Sequence, residues 1–229
     1  MIDPLDHLQQ RLDHRFADVA LLERALSHRS LGTRNNERLE FLGDALVNFV
    51  IAGALYEIRP AAEEGALSRL RASLVREASL ARLARDLDLG SVIRLGESEL
   101  KSGGFRRESI LADAFEAVLG AVYLDGGFEV AQRVVRRLFA PLLAQLPDAE
   151  SLKDPKTRLQ EWLQARSRPL PRYEVLAEDG PAHARRFSVR CSLPDDDGSG
   201  CIAEAGSRRV AEQQAAATVL AMLEARDHA

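Results

Sequence analysis

Cysteine is nearly absent from this 229-residue chain: Cys191 and Cys201 are the only two, too few for a disulfide framework. Taken with the five histidines (His7, His14, His28, His183, His228) they match no zinc-ligand spacing, so a reducing compartment is the natural setting. Positive charge is not in excess either. Against 31 Lys+Arg stand 35 Asp+Glu, a net charge of −4 that taken alone argues weakly against a nucleic-acid partner. The most apolar stretch, 45–56, falls short of the roughly 20 residues that a membrane span needs, and the start MIDPLDHLQQ is acidic where a signal peptide is basic. These absences lead us to expect a soluble, cytoplasmic chain with no membrane partner. What is present, 46% hydrophobic and 29% charged residues, is the make-up of an ordinary globular protein with ample core.

The charge is unevenly placed. Residues 151–229 carry 12 basic and 12 acidic side chains, whereas residues 1–150 carry 19 and 23, so the whole acidic excess lies in the first part. That distribution fits a concentrated carboxylate site better than an anion-repelling surface everywhere. Through the first part, apolar residues recur at helical spacing without sustained strand alternation, which predicts an all-α domain over 1–146. Helices are expected after Asp18, over 37–58 with Asn35 or Asn36 as cap and Pro60 as stop, and over 64–76, 77–87, 107–124 and 129–146. Residues 147–155 hold two prolines and four charges without periodicity, and read as a linker. Beyond it, over 156–229, the pattern becomes a helix near 157–166, strands near 173–176, 187–191 and 201–205, and a helix over 208–225. The order α-β-β-β-α defines a small α+β domain. The Asp195-Asp196-Asp197-Gly198 hairpin lacks the remaining ligands of a calcium loop.

Two helices carry acids on otherwise apolar surfaces. Glu37, Glu40, Asp44 and Asn48 are spaced 3, 4 and 4 residues apart and share one face, while Leu39, Phe41, Leu42, Leu46, Phe49 and Val50 cover most of the rest. Asp113 and Glu116 repeat the device at i and i+3 among Ile110, Leu111, Ala114, Phe115 and Val118. Carboxylates in such surroundings are costly unless paired, protonated or bound to a cation. If the two helices converge, Glu40, Asp44, Asp113 and Glu116 form a hard oxygen site suited to Mg²⁺ or Mn²⁺. The competing reading pairs these acids with Arg38 and other nearby arginines as plain salt bridges, and leaves Glu37 to the helix dipole. His14 and His28 are read as structural or surface residues, in helical segments without a matching partner.

The stretch Asn36-Glu37-Arg38-Leu39-Glu40-Phe41-Leu42-Gly43-Asp44-Ala45 resembles the signature of the ribonuclease III family. The stretch 101–113, Lys-Ser-Gly-Gly-Phe-Arg-Arg-Glu-Ser-Ile-Leu-Ala-Asp, with Glu116 after it, is similar to that family's second block, and 156–229 resembles a double-stranded-RNA-binding domain. Ala45 stands where many members have Ser. The resemblance implies that Glu40, Asp113 and Glu116 are Mg²⁺ ligands, for which Mn²⁺ can substitute, and that Asp44 and Glu116 are catalytic. Glu64, with Glu63 as competitor, would support the metal site across a homodimer interface that covers Phe41. It further implies cleavage of double-stranded RNA to 5′-phosphate and 3′-hydroxyl ends, in the processing of ribosomal precursors and of some messenger and transfer RNAs. A non-cutting RNA-binding protein of the same ancestry is the rival, favoured by loss of any acid; all four are present.

RNA contacts are expected from several groups. Arg106 and Arg107, at the start of the second acidic helix, are suited to phosphate or to a solvated face. Leu159, Trp162 and Leu163 make a core stripe, which leaves Thr157, Gln160, Glu161 and Gln164 on the face that would read the RNA minor groove. Ser207, Arg208 and Arg209 open the last helix as a phosphate clamp, with Val210 where a third basic residue often stands, and Ala211, Ala215, Val219 and Met222 as its inner face. His183 matches the loop that enters the next minor groove. Cys191 and Cys201 lie on neighbouring strands as packed thiols.

Overall fold

Asp3 accepts a hydrogen bond from the Leu5 amide at 3.2 Å and Pro4 occupies the first helical position, so α1 runs Pro4–Leu12. Asp18 caps α2 (Val19–Ala25) in the same way, through the Ala20 amide at 3.0 Å. A 3₁₀ turn, Arg29–Leu31, leads into α3 (Glu37–Ile58), where the Asn35 carboxamide oxygen, not that of Asn36, accepts from the Glu37 amide at 3.1 Å. There follow α4 (Glu64–Val75), α5 (Glu77–Asp86), the short α6 (Glu97–Lys101) and α7 (Glu108–Ala144). The helices expected over 107–124 and 129–146 are thus the two arms of one element, bent at Gly127, whose φ of 79° a residue with a Cβ rarely adopts. This computed structural model describes residues 3–181 and 184–227, in two units that meet between Leu152 and Lys153.

In the first unit α3 and α7 form the centre. Leu39, Val47, Ile51 and Leu55 of α3 are buried with Leu111, Phe115, Val118 and Val122 of α7, and α2, α4 and α5 close the sides. Among the described residues α3 is the one helix long and apolar enough to cross a membrane, but here it is the core helix, with Glu37 and Glu40 in its first turn. The crossing is tight for a reason visible in two glycines. A Cβ on Gly43 would lie 1.8 Å from the Glu116 carbonyl oxygen, and one on Gly120 would lie 2.3 Å from that of Leu39. Backbone meets backbone at both points, so neither glycine has room for a side chain. Of residues 147–152, Ala149 and Leu152 pack on this core, and Arg69 donates to the Ala149 carbonyl at 3.2 Å.

The second unit begins with α8 (Pro155–Ala165), capped by Asp154, which accepts from the Thr157 amide at 3.1 Å and from the Thr157 hydroxyl at 2.6 Å. Strands β1 (Arg172–Asp179), β2 (Arg186–Leu193) and β3 (Asp196–Ala205) form an antiparallel sheet in that order, and α9 (Arg208–Asp227) completes the expected α-β-β-β-α sequence. Leu159 and Leu163 pack with Cys191, Leu193, Ala215, Val219 and Leu223, and Trp162 joins the edge of that core with Arg166 over its ring at 3.8 Å. The inner stripe of α9 ends on Leu220 and Leu223; Met222, expected inside, is 41% exposed, because the buried face rotates with the 3.6-residue period. Cys191 and Cys201 are register partners and both are free thiols. In the β2–β3 turn, Asp195 pairs with Arg168 at 2.8 Å and Asp196 with Arg226 at 2.9 Å, so both acids have arginine partners.

The glycine crossing makes a testable demand. Gly43→Ala should cost about 1–3 kcal/mol in urea unfolding, the usual range for overpacking a filled site, and unchanged stability would mean that the helices do not approach so closely.

Candidate active site

The approach at Gly43 and Gly120 sets one helical turn of α3 against one turn of α7. Glu40 lies one turn before Gly43, Glu116 one turn before Gly120, and Asp113 one turn earlier again on the same face. Carboxylate oxygens of Glu40, Asp113 and Glu116 consequently lie within 4.8 Å of one another, each half-buried. Asp44 stands at the rim, exposed, with one carboxylate oxygen accepting from the Asn48 amide at 2.8 Å. Glu37 is exposed and accepts from Asn35 at 3.0 Å. Glu64, in the first turn of α4, accepts from the Ser68 hydroxyl at 2.7 Å and is not drawn into the cluster within one chain.

Electrostatics register the crowding. Burial, followed by the charges of Asp44, Glu40 and Asp113, pushes the Glu116 carboxyl up to about 8. Burial and then Asp113 raise Glu40; burial and then Glu77 raise Asp113. The arginine alternative finds no support among the described residues: Arg85 pairs with Glu108 at 2.9 Å and Arg107 with Glu99 at 2.7 Å, and no ion pair reaches the three converging acids. The charge of Arg29 lowers Glu40 and Asp113 against that trend without pairing with either, and three desolvated carboxylates with all-oxygen donors and no ion-pair partner among the described residues fit a hard divalent ion. Glu77 escaped the sequence reading because an acid at the start of a helix is already explained by the dipole.

The histidines need correction. Neither is in a helix, and His14 does have a partner: its Nε2 lies 2.8 Å from Asp125, which also accepts from the Ala17 and Asp18 amides. This buried contact ties the α1–α2 loop to α7 beside its bend. His28 is 8% exposed and its Nδ1 accepts from the Ser30 amide at 3.2 Å.

Of the expected RNA contacts on the first unit, Arg106 lies over the Phe105 ring at 5.0 Å and Arg107 is held by Glu99. On the second, Gln160 and Gln164 are exposed on α8, while the Thr157 hydroxyl is committed to Asp154. Ser207 caps α9 by accepting from the Val210 amide at 3.3 Å, Arg208 is braced by Glu212 at 2.8 Å, and Arg209 is exposed with its charge acting on Asp154. His183 lies outside the described residues.

Taken together, fold and site define a helical, acidic nuclease unit joined to an α-β-β-β-α unit. A family profile described as Ribonuclease-III-like matches residues 18–142, and one described as Double-stranded RNA binding motif matches residues 155–223. Curated relatives named Ribonuclease 3 include that of Alkalilimnicola ehrlichii, 56% identical over 98% of both chains, and that of Dechloromonas aromatica, 54% identical over 92% of this chain and 95% of its own. The crystal structure of the nuclease domain of ribonuclease III from Campylobacter jejuni matches with a TM-score of 0.60 at 41% identity, covering 64% of this chain and all of that one. A second structure of the same domain, titled for flexibility in a region involved in dimer formation, matches at 0.59 and 43% identity, over 60% of this chain and 96% of its own. The chain belongs to the ribonuclease III family, the metal-dependent endoribonucleases specific for double-stranded RNA.

The raised Glu116 carboxyl predicts a pH dependence of stability. It keeps its proton longer when folded than when unfolded, so the metal-free protein loses stability as pH rises from the ordinary glutamate value of 4.5 through about 8. Thermal melts in chelator should fall across that window, and Glu116→Gln should flatten the fall; a slope identical in the variant would exclude Glu116 as its source.

Proposed function

We propose that this chain cuts both strands of duplex RNA by Mg²⁺-dependent hydrolysis, leaving 5′-phosphate and 3′-hydroxyl ends. The observation that carries the reading is the convergence of Glu40, Asp113 and Glu116 within 4.8 Å, with no ion pair to any of them among the described residues, in a chain that also bears a double-stranded RNA binding motif. These three side chains would hold the ion, and Mn²⁺, equally hard and oxygen-seeking, would substitute. When bound, a divalent ion supplies activation of water and neutralisation of charge at the scissile phosphate.

The protein's own contribution is placement. Glu116, whose carboxyl is pushed up to about 8, would have to give up its proton to serve as a ligand, which would couple occupancy to proton release. Asp44, exposed at the rim and oriented by Asn48, is positioned to take a proton from the attacking water. Glu37 and Glu64 are supporting acids at greater remove. On the second unit, Thr157, Gln160 and Gln164 would face the minor groove, and Ser207, Arg208 and Arg209 would take the phosphates; His183 would enter the next groove, and Arg106 and Arg107 would serve the nuclease unit.

A homodimer places two such sites on one duplex. Phe41, Phe49 and Tyr56 recur along the outer face of α3 at 79%, 66% and 73% exposure, an apolar stripe that a second copy would bury two-fold symmetrically. Stems of ribosomal precursors and of some messenger and transfer RNAs, in the cytoplasm, are the substrates that this reading implies.

Incubation with long duplex RNA tests it directly. Cleavage should need Mg²⁺, stop in chelator and yield ends that carry 5′-phosphate. Glu116→Ala should lower the rate by more than the roughly 100-fold that even outer-shell partners of a metal cost; native-rate cutting by that variant would overturn the assignment. Phe41→Glu should convert the protein to monomers in sedimentation, and an unchanged dimer would remove the α3 stripe from the interface.

A further inference from the structure

The acidic cluster attracts a cation but repels the polyanion that has to approach it. Glu40, Asp44, Asp113 and Glu116 carry up to four negative charges in a few turns of helix, with Glu37 and Glu77 close enough to act on two of them. One divalent ion leaves the assembly negative. A phosphodiester can dock against it only if a fixed positive charge stands beside the cluster.

Arg29 is in that position. It opens the 3₁₀ turn Arg29–Leu31, which is pinned on two sides. The Ser27 carbonyl accepts from the Asn36 amide at 2.8 Å, immediately before the turn of α3 that carries Glu37 and Glu40. On the other side the His28 amide donates to the Arg94 carbonyl at 3.0 Å and the Gly96 amide to the Ser30 hydroxyl at 2.8 Å. The buried His28 ring braces the turn from within. Of the arginines and lysines, Arg29 is the one whose field acts on both Glu40 and Asp113. Yet it forms no ion pair with either. Among the described residues its guanidinium has no hydrogen-bond, ion-pair or ring partner, and the residue is exposed. A planar fork of five donors, held on a braced turn at the edge of a carboxylate cluster and left unpaired, is shaped to take phosphate oxygens.

We infer that Arg29 is a substrate-binding residue, which grips an RNA phosphate beside the acidic cluster and offsets the repulsion between that cluster and the backbone being cut. The inference rests on the nuclease reading above. It differs in kind from a structural role, because it assigns Arg29 opposite effects on the two ligands: attraction for RNA and repulsion for the metal ion.

Those opposite signs are the test. In full-length Arg29→Gln, cleavage of duplex RNA in saturating Mg²⁺ should lose about tenfold in kcat/KM, mostly through KM. The plot of log kcat/KM against log salt should become shallower by about one unit, the share of a single phosphate contact. Calorimetric titration of Mn²⁺ into the RNA-free variant should show binding as tight as in the unaltered protein, or about two- to threefold tighter. Arg29→Lys should recover part of kcat/KM, as a point charge without the fork. Native kcat/KM with an unchanged salt slope overturns the proposal. So does a joint loss of RNA cleavage and Mn²⁺ affinity, which would make Arg29 a prop for the ligand set. If the unaltered protein itself fails to cut RNA in Mg²⁺, the nuclease reading fails first, and that result is separate from either outcome for Arg29.

Discussion

The contact on which the site depends is a backbone contact, between Gly43 and the Glu116 carbonyl and between Gly120 and the Leu39 carbonyl. Helices normally keep 8–10 Å between axes because side chains separate them. Where a glycine from each helix faces the other's backbone, that spacer is missing. The side chains one turn away are then forced into each other's company whether or not their charges agree. Glu40 and Glu116 meet because of this geometry, against their electrostatics. The apolar packing of Leu39, Val47 and Ile51 with Phe115, Val118 and Val122 supplies the attraction that holds them there.

A site made this way is loaded against itself. Each of the three acids is pushed toward its protonated form chiefly by burial, and the neighbouring carboxylates add to it. Deprotonated, the cluster bears both desolvation and mutual repulsion, and on the proposed reading a divalent cation would relieve the two together. Three acids perturbed in the same direction at one crossing agree with the general finding that perturbed acids gather at functional sites. Such crowding is tolerable because the remainder of α3 and α7 is almost wholly apolar where it is buried.

The acidic spacings on two apolar helices were legible because helical periodicity fixes faces, and Glu40, Asp113 and Glu116 meet where that periodicity put them. The order of elements was legible for the same reason. What escaped depended on which side chains pair, across a long stretch of chain in one case and within a single turn in others. His14 looked unpartnered because Asp125 is 111 residues away. The Thr157 hydroxyl closes on Asp154, three residues before it, and Arg208 is braced by Glu212, four residues after it; both pairings are local, but helical spacing alone does not say which neighbours will pair. Glycine 43 sits inside the very motif that identified the family, yet its meaning is a distance to Glu116, which no single stretch of sequence contains.

Three faces of α3 carry three demands. One is buried against α7, one presents Glu40 and Asp44 to the site, and one exposes Phe41, Phe49 and Tyr56. In a 22-residue helix these faces are one or two positions apart, so a rotation of tens of degrees would turn core residues out and carboxylates in. The glycine crossing removes that freedom, because only one rotation brings Gly43 against Glu116 and Gly120 against Leu39 at once. The angular position of the acids is therefore set by the same contact that sets their distance. The outward direction of the aromatic stripe follows from it too, which is how one helix can hold a buried core, a cation site and an exposed apolar surface in fixed relation.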